Sequence, residues 1–274
     1  MWDHRRRSRS SAASALRLAE LVYHGAVRSV RQSSRTPIWG LLQDVMQAVL
    51  LVAVFYFMFE ILGTRKFAIR GDFLVYVMTG IFMFLVFNKS LAATASAEGP
   101  ASAMMQHAPM NTVVALGSAA LASLYKNALA VFLMLGIYHL AIRPVEIDQP
   151  AGVLGMFVLC WFVGSAVGVL FYAITPWAPG MLGMVRQFYT RANMITSGKM
   201  FVANSLPPAL LAFFDWNPLF HVIDQTRGFA FVNYNPHFSS VSYPFWVGMV
   251  CLTIGLMAEF TTRRSVSLSW TAGR

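Results

Sequence analysis

The sequence predicts an all-α polytopic membrane protein, and three observations carry that prediction. Only 12% of its 274 residues are charged and 57% are hydrophobic, where a soluble domain carries about 25% charged residues. Several apolar runs approach or exceed the roughly 18 residues that a helix needs to cross a hydrocarbon core of about 30 Å. These runs are continuous and do not alternate with polar residues, which excludes the strands of a membrane barrel.

The elements follow in order. Residues 1–37 form a basic tail with eight arginines ahead of Ile38: Arg5, Arg6, Arg7, Arg9, Arg17, Arg28, Arg31 and Arg35. Leu16, Leu18, Leu21, Val22, Val27 and Val30 interleave with Arg17, Glu20, Arg28 and Arg31. That is the pattern of an amphipathic helix lying on the inner membrane face. No apolar core follows the arginines before Ile38, so the stretch does not read as a signal peptide. The first span is expected over 38–62, where Gln43, Asp44 and Gln47 share one helical side and should face protein. The loop GTRKFAIRGD leads to the second span, 73–91. The stretch AATASAEGPASAMMQHAPMN is too polar to cross. It predicts a short helix of roughly two turns, about 98–106, bracketed by Pro100 and Pro109.

The third span, 112–142, carries Lys126, which must find a partner or reach toward the headgroups. After the turn RPVEIDQP comes the fourth span, 151–174, with Gly164 and Gly168 at the spacing that permits close helix packing. The turn TPWAPG precedes the fifth span, 181–197, which holds Arg186 and Arg191. The sixth span is expected over 243–260, and residues 263–274 form a second basic tail with Arg263, Arg264 and Arg274. Residues 38–262 are thus one transmembrane domain of six spans.

Between the last two spans lies NPLFHVIDQTRGFAF, 217–231. Asn217 is a good N-cap and Pro218 suits the first helical position. His221, Asp224, Gln225 and Gly228 form a polar stripe, with Leu219, Val222, Ile223, Thr226 and Ala230 opposite. A helix of roughly 20 Å is too short to cross the bilayer. With the apolar piece at 203–214 it suggests a re-entrant hairpin over 201–231, tolerated where its backbone is buried in protein.

An even number of spans puts both basic termini on one side, and the positive-inside rule makes that side cytoplasmic. Arg65, Lys66 and Arg70 then fall outside, against the rule, but they are outnumbered by eleven terminal arginines. The same rule accounts for the net charge of +10 without nucleic-acid binding. Cys160 and Cys251 both lie in apolar runs and read as small buried residues. The stretch NMITSGKM has the outline of a phosphate-binding loop, but Asn193 replaces its first glycine and Met200 its magnesium-binding hydroxyl. The six histidines have no zinc-helix spacing, and no GxSxG nucleophile motif is present. Neither a catalytic group nor a mid-span acid for proton coupling stands out. The chain is therefore not expected to be an enzyme, to hold a metal or to bind a cofactor of its own, and any uphill transport must be driven by a partner.

The segment NPLFHVIDQTRGFAF, preceded by LPPALL and followed by NYNPHF, resembles the late-chain signature of bacterial polysaccharide-exporting permeases of the ABC-2 type. It is most similar to the capsular polysaccharide exporters. The resemblance covers the whole chain in layout and about 30 residues in motif. One departure is AMMQHAPMN, which lacks the lysines and Phe-Pro often found there in such permeases.

The resemblance implies a homodimer in the bacterial inner membrane with two ATP-binding cassette subunits, which bind ATP and Mg²⁺. It implies a lipid-linked acidic polysaccharide as cargo and periplasmic co-polymerase-type and outer-membrane partners. Glu98, Gly99, Pro100, Met104 and Met105 would couple to the ATPase. Arg186, Gln187, Tyr189, Arg191 and Asn193 would line the cargo path, where aromatic faces and hydrogen-bonding groups suit sugars. Asn217, His221, Asp224 and Arg227 would form a periplasmic gate, either as a hydrogen-bonded cluster or as support for a buried hairpin. The alternatives are an exporter of O-antigen or teichoic acid, a membrane transferase acting on lipid-linked sugar, and an inert scaffold.

Overall fold

The computed structural model describes residues 11–32, 37–61, 71–98 and 111–272, and among these the secondary structure is helical, with no strand. The amphipathic helix α1 spans Ser11–Gln32, followed by α2 (Pro37–Ile61), α3 (Phe73–Ala95), α4 (Thr112–Ala141) and α5 (Pro150–Ile174). Next come α6 (Pro179–Thr196), the single turn α7 (Pro208–Leu211), α8 (Pro218–Ala230) and the long α9 (Ser242–Ala272). Local chemistry sets several starts. The Asp72 carboxylate accepts from Leu74 N at 2.9 Å to cap α3, and α5, α6, α7 and α8 each carry a proline in the first turn.

Five stretches are long and apolar enough to cross a membrane: Trp39–Ile61, Phe73–Ala95, Thr112–Ala141, Pro150–Trp177 and Ser242–Thr262. They coincide with five of the six expected spans to within a few residues, apart from the helical extension of α9 to Ala272. The expected fifth span is helical as well, as the 18 residues of α6. It is not one of the five, because Arg186, Gln187, Arg191 and Asn193 dilute its apolar content.

The bundle is built on α3 and α5. Of the span windows, that of α3 is 78% buried and that of α5 56%, while α2, α4 and α9 lie between 17% and 28% and form the periphery. The two central helices meet at the expected glycines. A Cβ on Gly164 would stand 2.5 Å from Phe87 O, and one on Gly168 would stand 2.5 Å from Leu91 O and overlap Thr94 Oγ1. That hydroxyl in turn donates to Ser165 O across the interface at 3.1 Å. Cys160 is free and fully buried on the same seam, as its apolar surroundings suggested.

Helix α9 packs on the far side of α5, where Thr262 donates to Ala173 O at 3.1 Å. Helix α4 joins the core through Asn127, which donates to Ser90 Oγ at 3.2 Å, and through Ala120 O, which accepts from Trp161 Nε1 at 2.8 Å. Helix α1 lies on α4: Ser118 donates to Val22 O at 3.1 Å, and Gly25 lets the two backbones approach. Leu16, Leu18 and Leu21 remain exposed on α1, as expected of a helix whose apolar side meets lipid. The polar trio of α2 divides. Asp44 turns inward and pairs with Lys89 at 2.8 Å, while Gln43 and Gln47 are exposed on the single chain.

Candidate functional site

Helix α8 begins as its sequence dictates. Asn217 Oδ1 accepts from Leu219 N at 2.9 Å, and its Nδ2 donates to Asn193 Oδ1 at 2.9 Å and to Thr196 Oγ1 at 2.8 Å. One side chain thus caps α8 and fastens it to the end of α6. The apolar face of the helix, with Leu219, Val222 and Ile223, is fully buried.

The polar stripe is buried at His221 and Asp224 and half-buried at Gln225 and Gly228, and its occupant is the chain's own return loop. Asp224 Oδ1 accepts from the Tyr234 hydroxyl, and its Oδ2 accepts from Ser239 Oγ at 2.6 Å. Gln225 donates to Ser239 O at 2.8 Å. A Cβ on Gly228 would collide with Pro236 at 2.6 Å, so glycine lets the loop lie flat there. His221 Nδ1 accepts from Ser240 N at 3.1 Å, and its Nε2 lies 2.6 Å from Asp215 O. A backbone N–H can only donate and a carbonyl can only accept, so Nε2 carries the proton and the imidazole is neutral. Burial acts in the same direction and lowers the His221 pKa, against opposing contributions from the Asp215 carbonyl, Asp224 and Asp215.

Arg227 lies off this stripe and is 1% exposed. Its Nη1 donates to Gly198 O at 3.0 Å and to Phe201 O at 2.7 Å, and its Nη2 donates to Lys199 O at 2.7 Å. The guanidinium sits 4.1 Å from the centre of the Tyr76 ring on α3. These carbonyls belong to backbone that has left the helical ladder, so a fixed cation with several donors replaces the partners they would otherwise lack. His221, Asp224 and Arg227 therefore do not bond to one another as a cluster. Each is anchored separately, two to the return loop and one to the approach segment.

The approach segment holds a residue that sequence reasoning passed over. Gly198 adopts φ +72°, the left-handed conformation that ends α6, with Phe220 packed where a Cβ would point. The next residue, Lys199, is 3% exposed, and its ammonium has no hydrogen-bond partner among the described residues. It rests over Phe84 at 3.5 Å and near Phe55 at 5.1 Å from the ring centres. The Gly-Lys pair first met in NMITSGKM thus serves to end a helix and to bury a cation on aromatic faces. The legible signal was a lysine directly after a helix-ending glycine, in a gap between apolar pieces.

The expected path residues on α6 also divide. Gln187 and Arg191 are exposed and Arg186 is half-buried, on a helix that also exposes Met181, Met184 and Phe188. Tyr189 turns inward, 5.8 Å from Phe171 and 6.5 Å from Phe87 between ring centres. Asn193 is buried against Asn217. Of the expected coupling residues, Glu98 is exposed at the end of the segment after α3. Gly99, Pro100, Met104 and Met105 lie outside the described residues. Among the described residues, no group of three or more His, Cys, Asp or Glu side chains is placed to hold a metal ion.

No family model matches the chain. A curated protein does: the polysialic acid transport protein KpsM of Escherichia coli is 25% identical over 237 residues, which cover 85% of this chain and 87% of that one. The alignment reaches far beyond the late-chain motif and takes in most of the helical bundle. The resemblance to ABC-2 type permeases of polysaccharide exporters, first carried by about 30 residues around α8, thus stands on most of the length of both chains.

Proposed function

We propose that this chain is the membrane permease of an ATP-driven exporter that carries a lipid-linked, acidic capsular polysaccharide across the bacterial inner membrane. The observation that carries the reading is the alignment to a polysialic acid transport protein over most of both chains. Two chains would pair, each with an ATP-binding cassette subunit that binds ATP and Mg²⁺. Both basic termini face the cytoplasm, and Glu98 with the segment after it meets the ATPase. Periplasmic and outer-membrane proteins receive the cargo beyond the membrane.

The geometry supports a division of labour within the chain. Helix α6 presents Arg186, Gln187 and Arg191 on its open side together with large apolar residues. That combination suits a helix placed between a second copy and a wet conduit. Arg186 and Arg191 would attract acidic sugars. The hairpin 201–231 would re-enter the membrane from the periplasmic side, since Lys199 reaches Phe84 at the middle of α3. Asn217, His221, Asp224 and Arg227 would shape the gate by holding that hairpin rigid, without touching sugar.

The test is deletion of the chain in a cell that keeps its ATP-binding partner. Surface polysaccharide should disappear and accumulate inside, and Arg186→Gln with Arg191→Gln should lower export at unchanged protein level. Undiminished surface polysaccharide in the deletion overturns the proposal.

A further inference from the structure

Lys199 differs from two other cations of the bundle. Arg227 donates to three carbonyls, and Lys89 pairs with Asp44. The Lys199 ammonium is buried with no hydrogen-bond partner among the described residues, and it rests on the ring faces of Phe84 and Phe55. The residues outside the described ones contain a single acid, Asp3, in the basic N-terminal tail. Phe84 lies at the middle of α3. A methionine there would fill similar space without the desolvation cost of an unpaired charge. A cation kept at this depth is suited to an anion that arrives from elsewhere.

The backbone and the head of Lys199 belong to different parts of the fold. Its carbonyl accepts from Arg227 on α8 at 2.7 Å, and Gly198 before it, at φ +72°, separates it from α6. The rings under its ammonium belong to α2 and α3. A shift of the hairpin against α2 therefore draws the ammonium off the rings, and no hydrogen bond to the ammonium has to break. Helix α2 is placed to yield, because its span window is only 22% buried and it exposes Val54 and Phe57 beside Phe55. Lysine also suits an anion that must leave again. Its ammonium is a point charge with rotating donors, whereas the arginine fork holds a carboxylate by two bonds.

We propose that Lys199 is a specificity-determining residue for acidic cargo: movement of the hairpin lifts its ammonium from Phe84 and Phe55 and offers it to a carboxylate of the passing saccharide. This rests on the acidic cargo proposed above. With no carboxylate in reach the ammonium returns to the rings, so a neutral saccharide gains nothing from the movement.

The test combines export in cells with labelling of the purified chain in complex with its ATP-binding partner. Lys199→Met should lower surface polysaccharide about tenfold at unchanged protein level. Its melting temperature should equal or exceed the parent's, because an unpaired buried charge has been removed. A water-soluble amine-acetylating reagent should spare Lys199 in the resting complex and label it during ATP hydrolysis. Hexagalacturonate should protect it during hydrolysis, and the methyl ester of the same oligomer should not. Phe84→Leu loosens the seat and should raise labelling at rest. Full export by Lys199→Met, or a lower melting temperature, overturns the proposal. So do absence of labelling during hydrolysis, equal protection by the two oligomers, unchanged resting labelling in Phe84→Leu, and a carbodiimide crosslink from Lys199 to a carboxylate of the second copy. Full export by Lys199→Met in a cell where deletion of the chain abolishes export would refute this role and leave the proposed function standing.

Discussion

Replacing Arg227 with methionine keeps the apolar stem of the side chain and removes the guanidinium. Three carbonyl oxygens, of Gly198, Lys199 and Phe201, then lose donors at 2.7 to 3.0 Å. A hydrogen bond to a charged group contributes about 1.5–3 kcal/mol, so simple addition gives roughly 5–9 kcal/mol. The three acceptors lie within four residues of one another and relax together, so the sum overcounts. Removing the cation also relieves its own burial. The expected loss is about 3–5 kcal/mol, as for breaking other buried charged contacts. By the usual scaling for a domain of this size, the melting temperature falls by on the order of 10 °C. The assay is thermal unfolding of the purified chain in detergent, with Arg227→Lys alongside. Lysine retains the charge but lacks the planar fork, so it should recover only part of the loss. If Arg227→Met melts like the parent and yet abolishes export, the clamp described here is wrong and the guanidinium meets cargo.

Three further outcomes follow from the geometry. Gly168→Ala drives a methyl into Thr94 Oγ1 and Leu91 O, and should destabilise the chain by about 1–3 kcal/mol; an unchanged melting temperature would refute the close packing of α3 and α5. Asn217→Ala removes the cap of α8 and both bonds to the end of α6, and should cost about 2 kcal/mol, more than Asn217→Asp, which keeps the capping oxygen. His221 has a lowered pKa in the folded chain, so the unfolded chain takes up its proton first as pH falls. Its contribution is complete above about pH 6.5 and is lost below it. Melting between about pH 7.5 and 5 should therefore fall more steeply for the parent than for His221→Asn; equal slopes would contradict the neutral, buried imidazole.

Much of this architecture is legible from sequence, because membrane helices announce themselves by length and apolarity. The glycine pair on α5 and the cap of α8 were legible too, since each rests on a local rule that tertiary contacts reinforce. The stripe on α8 was legible as a pattern, but its occupant was not. Polar residues at helical spacing look alike whether they face water, sugar or a returning loop, and only the path of residues 232–241 decides between them. Arg227 and Lys199 were harder still. Their partners are backbone carbonyls and aromatic faces, which carry no signature in side-chain chemistry. Asn193 reads as a cargo contact because it shares α6 with two arginines; in the structure it is buried and accepts from Asn217, a tertiary contact that no local pattern announces.

The anchoring of α8 also limits how this part of the molecule can move. Arg227 grips the segment before the hairpin, the polar stripe grips the segment after it, and Tyr243 on α9 donates to Trp216 O at 2.7 Å. Both sides of the hairpin are thus tied to α8, and α9 is tied to its start, so a tilt of α9 would pull on α8 as a lever. Opening at this end of the bundle must then begin at its margins, where Gly198 ends α6 or where α9 slides on α5.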